Sequence, residues 1–270
     1  VDLLRREYAR HRLLVNPINV GFARANNQAL PAARGKYVLL LNTDAFVEPN
    51  TLKETIAFMD SRADCGILGV RLSGRDGSLQ PSCRYFPTPF NVFLTRTGLG
   101  RFFPWVRMAD DLHWDHASLR ECDWVPGCYF LVRRAAIEQV GLLDPRFFLY
   151  FEEVDYCRRA RQAGWKVFFY PHTTVIHLGG ESAQSDSDLT RDGRQISALQ
   201  IESEFLYFRK HYGFPGLLAH LLLATLADAV LAAKDLLKRR GRCVVRSNWL
   251  HVRSSWGLLR ATRWASRPTR

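Results

Sequence analysis

Three acidic residues stand together in Phe147-Phe-Leu-Tyr-Phe-Glu-Glu-Val-Asp-Tyr-Cys-Arg158, at the mouth of a helix pattern and directly after an aromatic run. A histidine closes the apolar strand pattern Thr173-Thr-Val-Ile-His177, and an aspartate closes another, Tyr37-Val-Leu-Leu-Leu-Asn-Thr-Asp44. Carboxylates at a helix start are favoured by the macrodipole and can cap free N–H groups, which accounts for one or two of the three. It does not account for all of them, because like charges this close repel and each must find a partner. Helical spacing puts Glu152 and Asp155 on one face and turns Glu153 elsewhere. A carboxylate aimed into a cleft beside a metal-bound diphosphate is equipped to take the proton from an acceptor hydroxyl.

Asn42-Thr-Asp44 offers an oxygen ligand on each side of one spacer, which suits a hard divalent cation that also touches phosphate oxygens. The same tripeptide read alone is an Asx turn. A single histidine is more often a hydrogen-bonded residue than a ligand. His177, however, precedes Gly179 and Gly180, which permit close backbone approach, so it is a candidate metal ligand. The two glycines are also placed to hinge the polar stretch 181–195 as a lid.

The elements around these residues alternate. An amphipathic helix pattern opens the chain, 13–15 reads as a short strand, and 22–33 reads as a helix closed by Gly35. The continuous apolar run 36–42 predicts a buried parallel strand with neighbours on each side, and Asp44 then lies at its carboxyl end, where open α/β sheets bind ligands. A helix capped by Asn50 and Thr51 runs to about residue 62, a strand covers 65–72, and 74–77 is a turn. The aromatic, proline-rich stretch 81–116 shows no clear period and reads as a long excursion. Beyond it come a strand at 123–132, a helix at 133–140 ended by Gly141, the acidic helix to residue 163, strands over 167–176 interrupted at Pro171, and a helix at 197–212. Such alternation predicts an open α/β sheet with flanking helices.

Composition narrows the class. With 270 residues, 47% of them hydrophobic, and seven tryptophans, the chain buries a full core and is not a disordered protein. Cys65, Cys83, Cys122, Cys128, Cys157 and Cys243 are scattered without a C-x-x-C pair, which predicts reduced thiols in a cytosolic setting and neither a zinc site nor a disulfide framework. The net charge of +12 is concentrated late, because ten Lys and Arg follow Lys234 and Asp235 is the only acid among them. An apolar run at 217–233 stands beside that basic tail. His220, Asp228 and Asp235 share one sector of its helical wheel, which leaves a broad Leu and Ala face. The pattern predicts an in-plane helix on an anionic membrane surface, with a core helix or dimer contact as the plainer alternative. No nucleic-acid motif accompanies the charge, so nucleic acid is not expected as a partner.

Val20-Gly-Phe-Ala-Arg-Ala-Asn-Asn27, Leu41-Asn-Thr-Asp44, Asp76-Gly-Ser-Leu-Gln-Pro-Ser82, the acidic run 147–157 and Val175-Ile-His-Leu178 together resemble the inverting family 2 glycosyltransferases, most of all their rhamnosyltransferase-like members. The resemblance covers about 3–212. It implies a GT-A fold, a Rossmann-like open mixed sheet, over 1–212, with 213–270 left as a helical, membrane-associating segment. It also implies a nucleotide-diphosphate sugar donor, Mg2+ or Mn2+, and a one-step displacement that moves a deoxyhexose such as rhamnose to a lipid-linked or polysaccharide acceptor.

Carried onto this sequence, Asp44 matches the second acid of the family's D-x-D, Asn42 its first position, and His177 the histidine that joins the metal. Glu153 matches the general base, usually aspartate, and the extra methylene implies either that the cleft is adjusted or that Glu152 shares the role. Gly21, Asn26 and Asn27 fall where the family lines the donor site. The setting implied is the cytoplasmic, inner face of the plasma membrane, in cell-surface polysaccharide assembly. The family's usual opening strands and its D-N-x-S-x-D-G segment do not precede Val1, so the expectation includes a chain without them, and with it an impaired scaffold as the alternative to an active enzyme.

Overall fold

The structure is a computed structural model that describes residues 1–110, 114–178, 194–238 and 242–270, the side chains of 194–197 and 242–248 excepted. The polar stretch read as a lid lies almost wholly outside the described residues. Seven strands join in one mixed sheet: β1 (Tyr37–Leu41), β2 (Ala45–Val47), β3 (Cys65–Ser73), β4 (Leu79–Gln80), β5 (Arg120–Cys122), β6 (Tyr129–Arg133) and β7 (Lys166–His177). The order is β1-β6-β3-β7-β2, with β4 paired to β3 and β5 to β7. Around it lie α1 (Asp2–Glu7), α2 (Phe22–Ala29), α3 (Thr51–Ser61), α4 (Pro89–Thr97), α5 (Arg134–Val140), α6 (Glu152–Gln162), α7 (Arg194–Leu237) and α8 (Arg242–Ala261).

Strand directions decide where a ligand can sit. β6 is antiparallel to both β1 and β3, and β3 is parallel to β7. The carboxyl ends of β1, β3 and β7 therefore share one edge with the amino end of β6. Alternation divides the core across the sheet: Val38, Leu40, Phe130 and Val132 pack in one apolar cluster, while Leu39, Tyr129 and Leu131 pack in the other.

Several expectations are corrected. The run 36–42 is not parallel to its neighbour: among the described residues β1 pairs with β6, antiparallel, at the end of the strand order. Its apolar run reports that both faces are contacted, and it carries no information about strand direction. Leu13, Leu14 and Val15 are exposed and join no ladder, since a three-residue segment has no strand beside it to pair with. The stretch expected as one strand at 123–132 is strand only from Tyr129, in β6 on β1 and β3, because Pro126 and Gly127 interrupt it; β5, on β7, ends before it at Cys122. Within 81–116, Thr88 caps α4 in a reciprocal box with Asn91, and Gly98, at φ 67°, ends it. At Pro171 the expected interruption is a bulge inside one strand: the register with β3 passes from Val70↔Tyr170 to Arg71↔Thr174.

α7 is two helical limbs. Gly213 lies at φ 68° and ψ −169°, outside helical space, and Pro215 cannot donate a backbone bond. The second limb folds back on the first, so that His220 stacks on Phe208 at 4.2 Å and faces Glu204 at 3.6 Å. The first limb is buried through Phe205, Leu206, Tyr207 and Phe208. On the second, His220, Asp228 and Asp235 are buried, whereas Leu218, Leu222 and Leu226 are exposed. The polar sector thus faces protein, the reverse of the orientation an amphipathic surface helix takes, because α4 and α8 supply partners for it: Arg96 lies 2.5 Å from Asp228, and His251 lies 2.8 Å from it.

Candidate active site

Asp44 and His177 meet through the short ladder of β2 and β7, in which Ala45 pairs with His177. The Leu178 N–H donates to the Asp44 carbonyl at 3.1 Å, and the turn from β1 into β2 closes where the Ala45 N–H donates to the Asn42 carbonyl. Asp44 is buried, its Oδ1 lies 3.6 Å from His177 Nε2, and that oxygen has no hydrogen-bond partner among the described residues. Gln80 fixes the imidazole. Its Nε2 donates to the His177 carbonyl at 2.8 Å, so its Oε1 is the atom 3.0 Å from Nδ1, and Nδ1 must carry the proton. Nε2 then faces a carboxylate oxygen. Two Lewis bases held together in this way are a half-built cation site, with an amide behind the histidine setting its tautomer.

The carboxylates of α6 lie along the same edge. The Asn42 N–H donates to the Cys128 carbonyl at 3.0 Å, which joins the turn after β1 to the segment before β6. A Cβ placed on Gly127 would lie 4.0 Å from the Glu153 Cβ. The Cys128 thiol is pushed up to about 12, first by burial, with the charges of Glu153 and Asp44 adding to it, so both carboxylates flank one thiol. The unpaired carboxylates of the site are therefore Asp44, Glu152 and Glu153, each with one buried oxygen that no described residue satisfies. Burial raises the Glu153 carboxyl above the ordinary range, although the Arg84 charge pulls it back; burial and then the Glu153 charge raise Glu152 further.

Asp155 differs. It is fully buried, with Lys210 at 2.5 Å, His211 at 2.7 Å and Arg159 at 2.9 Å. Burial alone would raise its carboxyl, but the His211 hydrogen bond and the two cations outweigh that and hold it below the usual range. It anchors α6 to α7 and leaves no lone pair for a ligand.

Chain geometry just ahead of α6 is unusual. Tyr150 and Phe151 have φ of 69° and 67°, a left-handed region that costs residues with a side chain, and Phe151 is the N-cap of the helix. Phe151 packs on Tyr207 and the Leu149 carbonyl accepts from Ser203, so α7 holds the strained turn. On the other side Gly21, at φ 82°, lets α2 start against the same stretch: a Cβ there would fall 2.4 Å from the Phe148 carbonyl, which accepts from the Phe22 N–H at 2.9 Å. Asn26 donates to the Phe22 carbonyl of its own helix, and Asn27 both donates to and accepts from the backbone of Leu143. Asn26 spends one amide N–H on its own helix, Asn27 holds the Leu143 backbone with both its amide atoms, and Gly21 is placed to shape the turn that aims Glu152 and Glu153.

Two residues escaped the sequence reading. Gln80 ends β4, in the hairpin with β3 that Asp76 closes by accepting from Ser78, and Arg84 follows four residues later, past Pro81. Arg84 lies over Trp124 and 3.2 Å from Asp110, and its charge reaches Glu153. A polar pair immediately after a turn, flanking a proline, was the available signal.

Comparison with known proteins agrees with this geometry. A family model described as glycosyltransferase like family 2 matches residues 2–197. An N-acetylglucosaminyl-diphospho-decaprenol L-rhamnosyltransferase of Mycobacterium tuberculosis is 30% identical over 198 residues, 66% of this chain and 62% of that protein. A rhamnosyltransferase of Escherichia coli is 25% identical over 179 residues, 61% of this chain and 63% of the other. The chain thus spans less than two thirds of the length of these relatives. A mannosyltransferase of Pyrobaculum calidifontis, solved in complex with GDP-Man and Mn2+, superposes with a TM-score of 0.54 at 14% identity, over 98% of this chain and 74% of that one. The sheet with its flanking helices is a GT-A fold.

Proposed function

This chain belongs to glycosyltransferase-like family 2, and on that premise we propose that it moves a sugar from a nucleotide-diphosphate donor to an acceptor hydroxyl with inversion. The observation that carries the reading is the set of orphaned carboxylate oxygens on Asp44, Glu152 and Glu153, at the edge where the strands β1, β3 and β7 end. A buried acceptor without a donor costs about 1–3 kcal/mol, so three of them describe a site built for groups that arrive with substrate.

Glu153 is the base. Its raised carboxyl takes the proton of the acceptor hydroxyl as that oxygen bonds to the anomeric carbon, and the bond from that carbon to the diphosphate breaks on the opposite face. Glu152, pushed toward its protonated form first by burial and then by the Glu153 charge, disfavours a second negative charge in the pair. Asp44 and His177 fit a hard divalent cation, Mg2+ or Mn2+, because a buried carboxylate oxygen that no described residue satisfies and an imidazole nitrogen lie 3.6 Å apart. When bound, that ion neutralises the donor diphosphate.

The relatives favour a deoxyhexose such as rhamnose as the sugar, and a lipid-linked or polysaccharide acceptor in cell-surface polysaccharide assembly. In this reading residues 1–212 carry the chemistry, and 213–270 hold the protein on the cytoplasmic, inner face of the plasma membrane. A screen of nucleotide-diphosphate sugars with Mn2+, read by product mass, tests the reading. A deoxyhexose added to the acceptor is the expected outcome; no transfer from any donor by the folded protein would leave a glycosyltransferase-like scaffold instead.

A further inference from the structure

We propose that the outward leucine row of the second limb of α7, with Trp249 and Leu250 of α8, is the surface that enters the lipid interface. The inference rests on the membrane location given above and assigns it to particular residues. Leu218, Leu222 and Leu226 recur every four residues and so line one side of the helix. Leu222 is 55% exposed and Leu226 50%. On the opposite side Asp228, 3% exposed, is tied to Arg96 and His251, and the Lys234 ammonium donates to the Thr97 carbonyl at 2.6 Å. Water-facing helices put their charges out and their leucines in, so this limb is assembled for an apolar medium on its free side.

α8 extends the surface. Trp249, 69% exposed, and Leu250 add exposed apolar side chains on α8, which packs against α7. An exposed tryptophan beside leucines suits the boundary between headgroups and acyl chains. Arg253 and Arg260 follow Trp249 at helical spacing, and both are exposed. With a net charge of +12, they match the negative charge of an anionic bilayer. By length and composition alone the whole helix Ala198–Leu237 could cross a membrane, yet the charged sector of its second limb is fastened to α4 and α8, so the limb lies along the interface.

Flotation with phosphatidylcholine vesicles carrying 30% phosphatidylglycerol tests the assignment, comparing the full chain with Leu222→Gln/Leu226→Gln and with Trp249→Ala. Circular dichroism melting confirms that each variant is folded. The expected result is vesicle binding that falls at least ten-fold in the leucine variant, falls less in Trp249→Ala, and weakens in high salt for the unsubstituted chain. Unchanged vesicle binding by a folded leucine variant overturns the proposal. So does sedimentation as a dimer that the leucine variant converts to monomers while neither binds vesicles, since the row would then face a second copy. Sugar transfer to a water-soluble acceptor, measured in parallel, separates the two readings. Transfer that persists while vesicle binding is absent from all forms removes this surface and leaves the catalytic reading standing. Binding without transfer does the opposite.

Discussion

Glu152 and Glu153 share one helical turn with Asp155, and the fates of these carboxylates are opposite. Asp155 is saturated by Lys210, His211 and Arg159 and is held ionised. Glu152 and Glu153 keep unpaired oxygens and are pushed toward the protonated form by burial. Placement at a helix start explains neither outcome, since all three enjoy the same macrodipole. The side chains supplied by α7 make the difference: that helix delivers Lys210 and His211 to Asp155 and, among the described residues, no such partner to the other two. Within one turn, then, the fold separates a carboxylate that holds it together from carboxylates left for chemistry.

Breaking that division at Glu153 has the largest effect. Glu153→Gln keeps shape and removes basicity, so turnover falls by roughly two to four orders of magnitude while donor binding persists. Steady-state rates beside a nucleotide-sugar titration measure both. Near-normal turnover in the folded variant, with Glu152→Gln inactive, would move the base by one residue.

At Asp155 the expected loss is in stability. Asp155→Asn leaves His211 and Lys210 facing an amide, and breaking such a buried pair costs about 3–5 kcal/mol, visible as a lower urea midpoint. Retention of the parental midpoint would show that Asp144, which also binds Lys210 at 2.8 Å, is sufficient for α7 docking.

A third test supports the cation pair from behind. Gln80→Ala releases the imidazole tautomer, and loss of such an outer partner weakens metal affinity by about 10–100-fold. Calorimetric titration of Mn2+ with and without a nucleoside diphosphate reads it directly, and an unchanged affinity would argue that His177 is no ligand.

The pH responses of the two kinds of carboxylate run in opposite senses. Asp155, lowered in the folded state, stabilises above its unfolded value of about 3.9, and that contribution is lost as pH falls through its folded value. Glu152 and Glu153, raised in the folded state, oppose folding progressively as pH rises from about 4.3 through their folded values. Activity needs Glu153 ionised, so kcat/KM rises with pH on a limb above the ordinary carboxylate range. Glu153→Gln removes that limb. Glu152→Gln, which replaces a neutral acid by a neutral amide, shifts stability by under about 1 kcal/mol. A large loss there would mean that Glu152 is ionised and paired.

Much of this arrangement was legible in the chain, for local reasons. Asp44 and His177 each close an apolar run, so their positions at a sheet edge follow from the period of the strands, and the acidic turn follows from helix-start chemistry. What stayed hidden depends on neighbours distant in sequence. Nothing in 36–42 reports that its partner β6 runs antiparallel, because hydropathy records faces and not strand direction. Asn27 reads as a ligand-binding amide until Leu143 arrives from 116 positions away to occupy it. The polar sector of 217–233 was visible on the wheel, but its direction was set by Arg96 and His251, which no local pattern ties to Asp228.

The left-handed pair Tyr150 and Phe151 carries a price for heat resistance. Two residues in that region store on the order of 1–3 kcal/mol each. Replacing Tyr150 with asparagine, which tolerates the conformation, would let the turn relax and raise the melting temperature. The same relaxation would loosen the aim of the helix that begins two residues later. Selection for a hardier protein would therefore find this turn early, and the survivors would be slower catalysts.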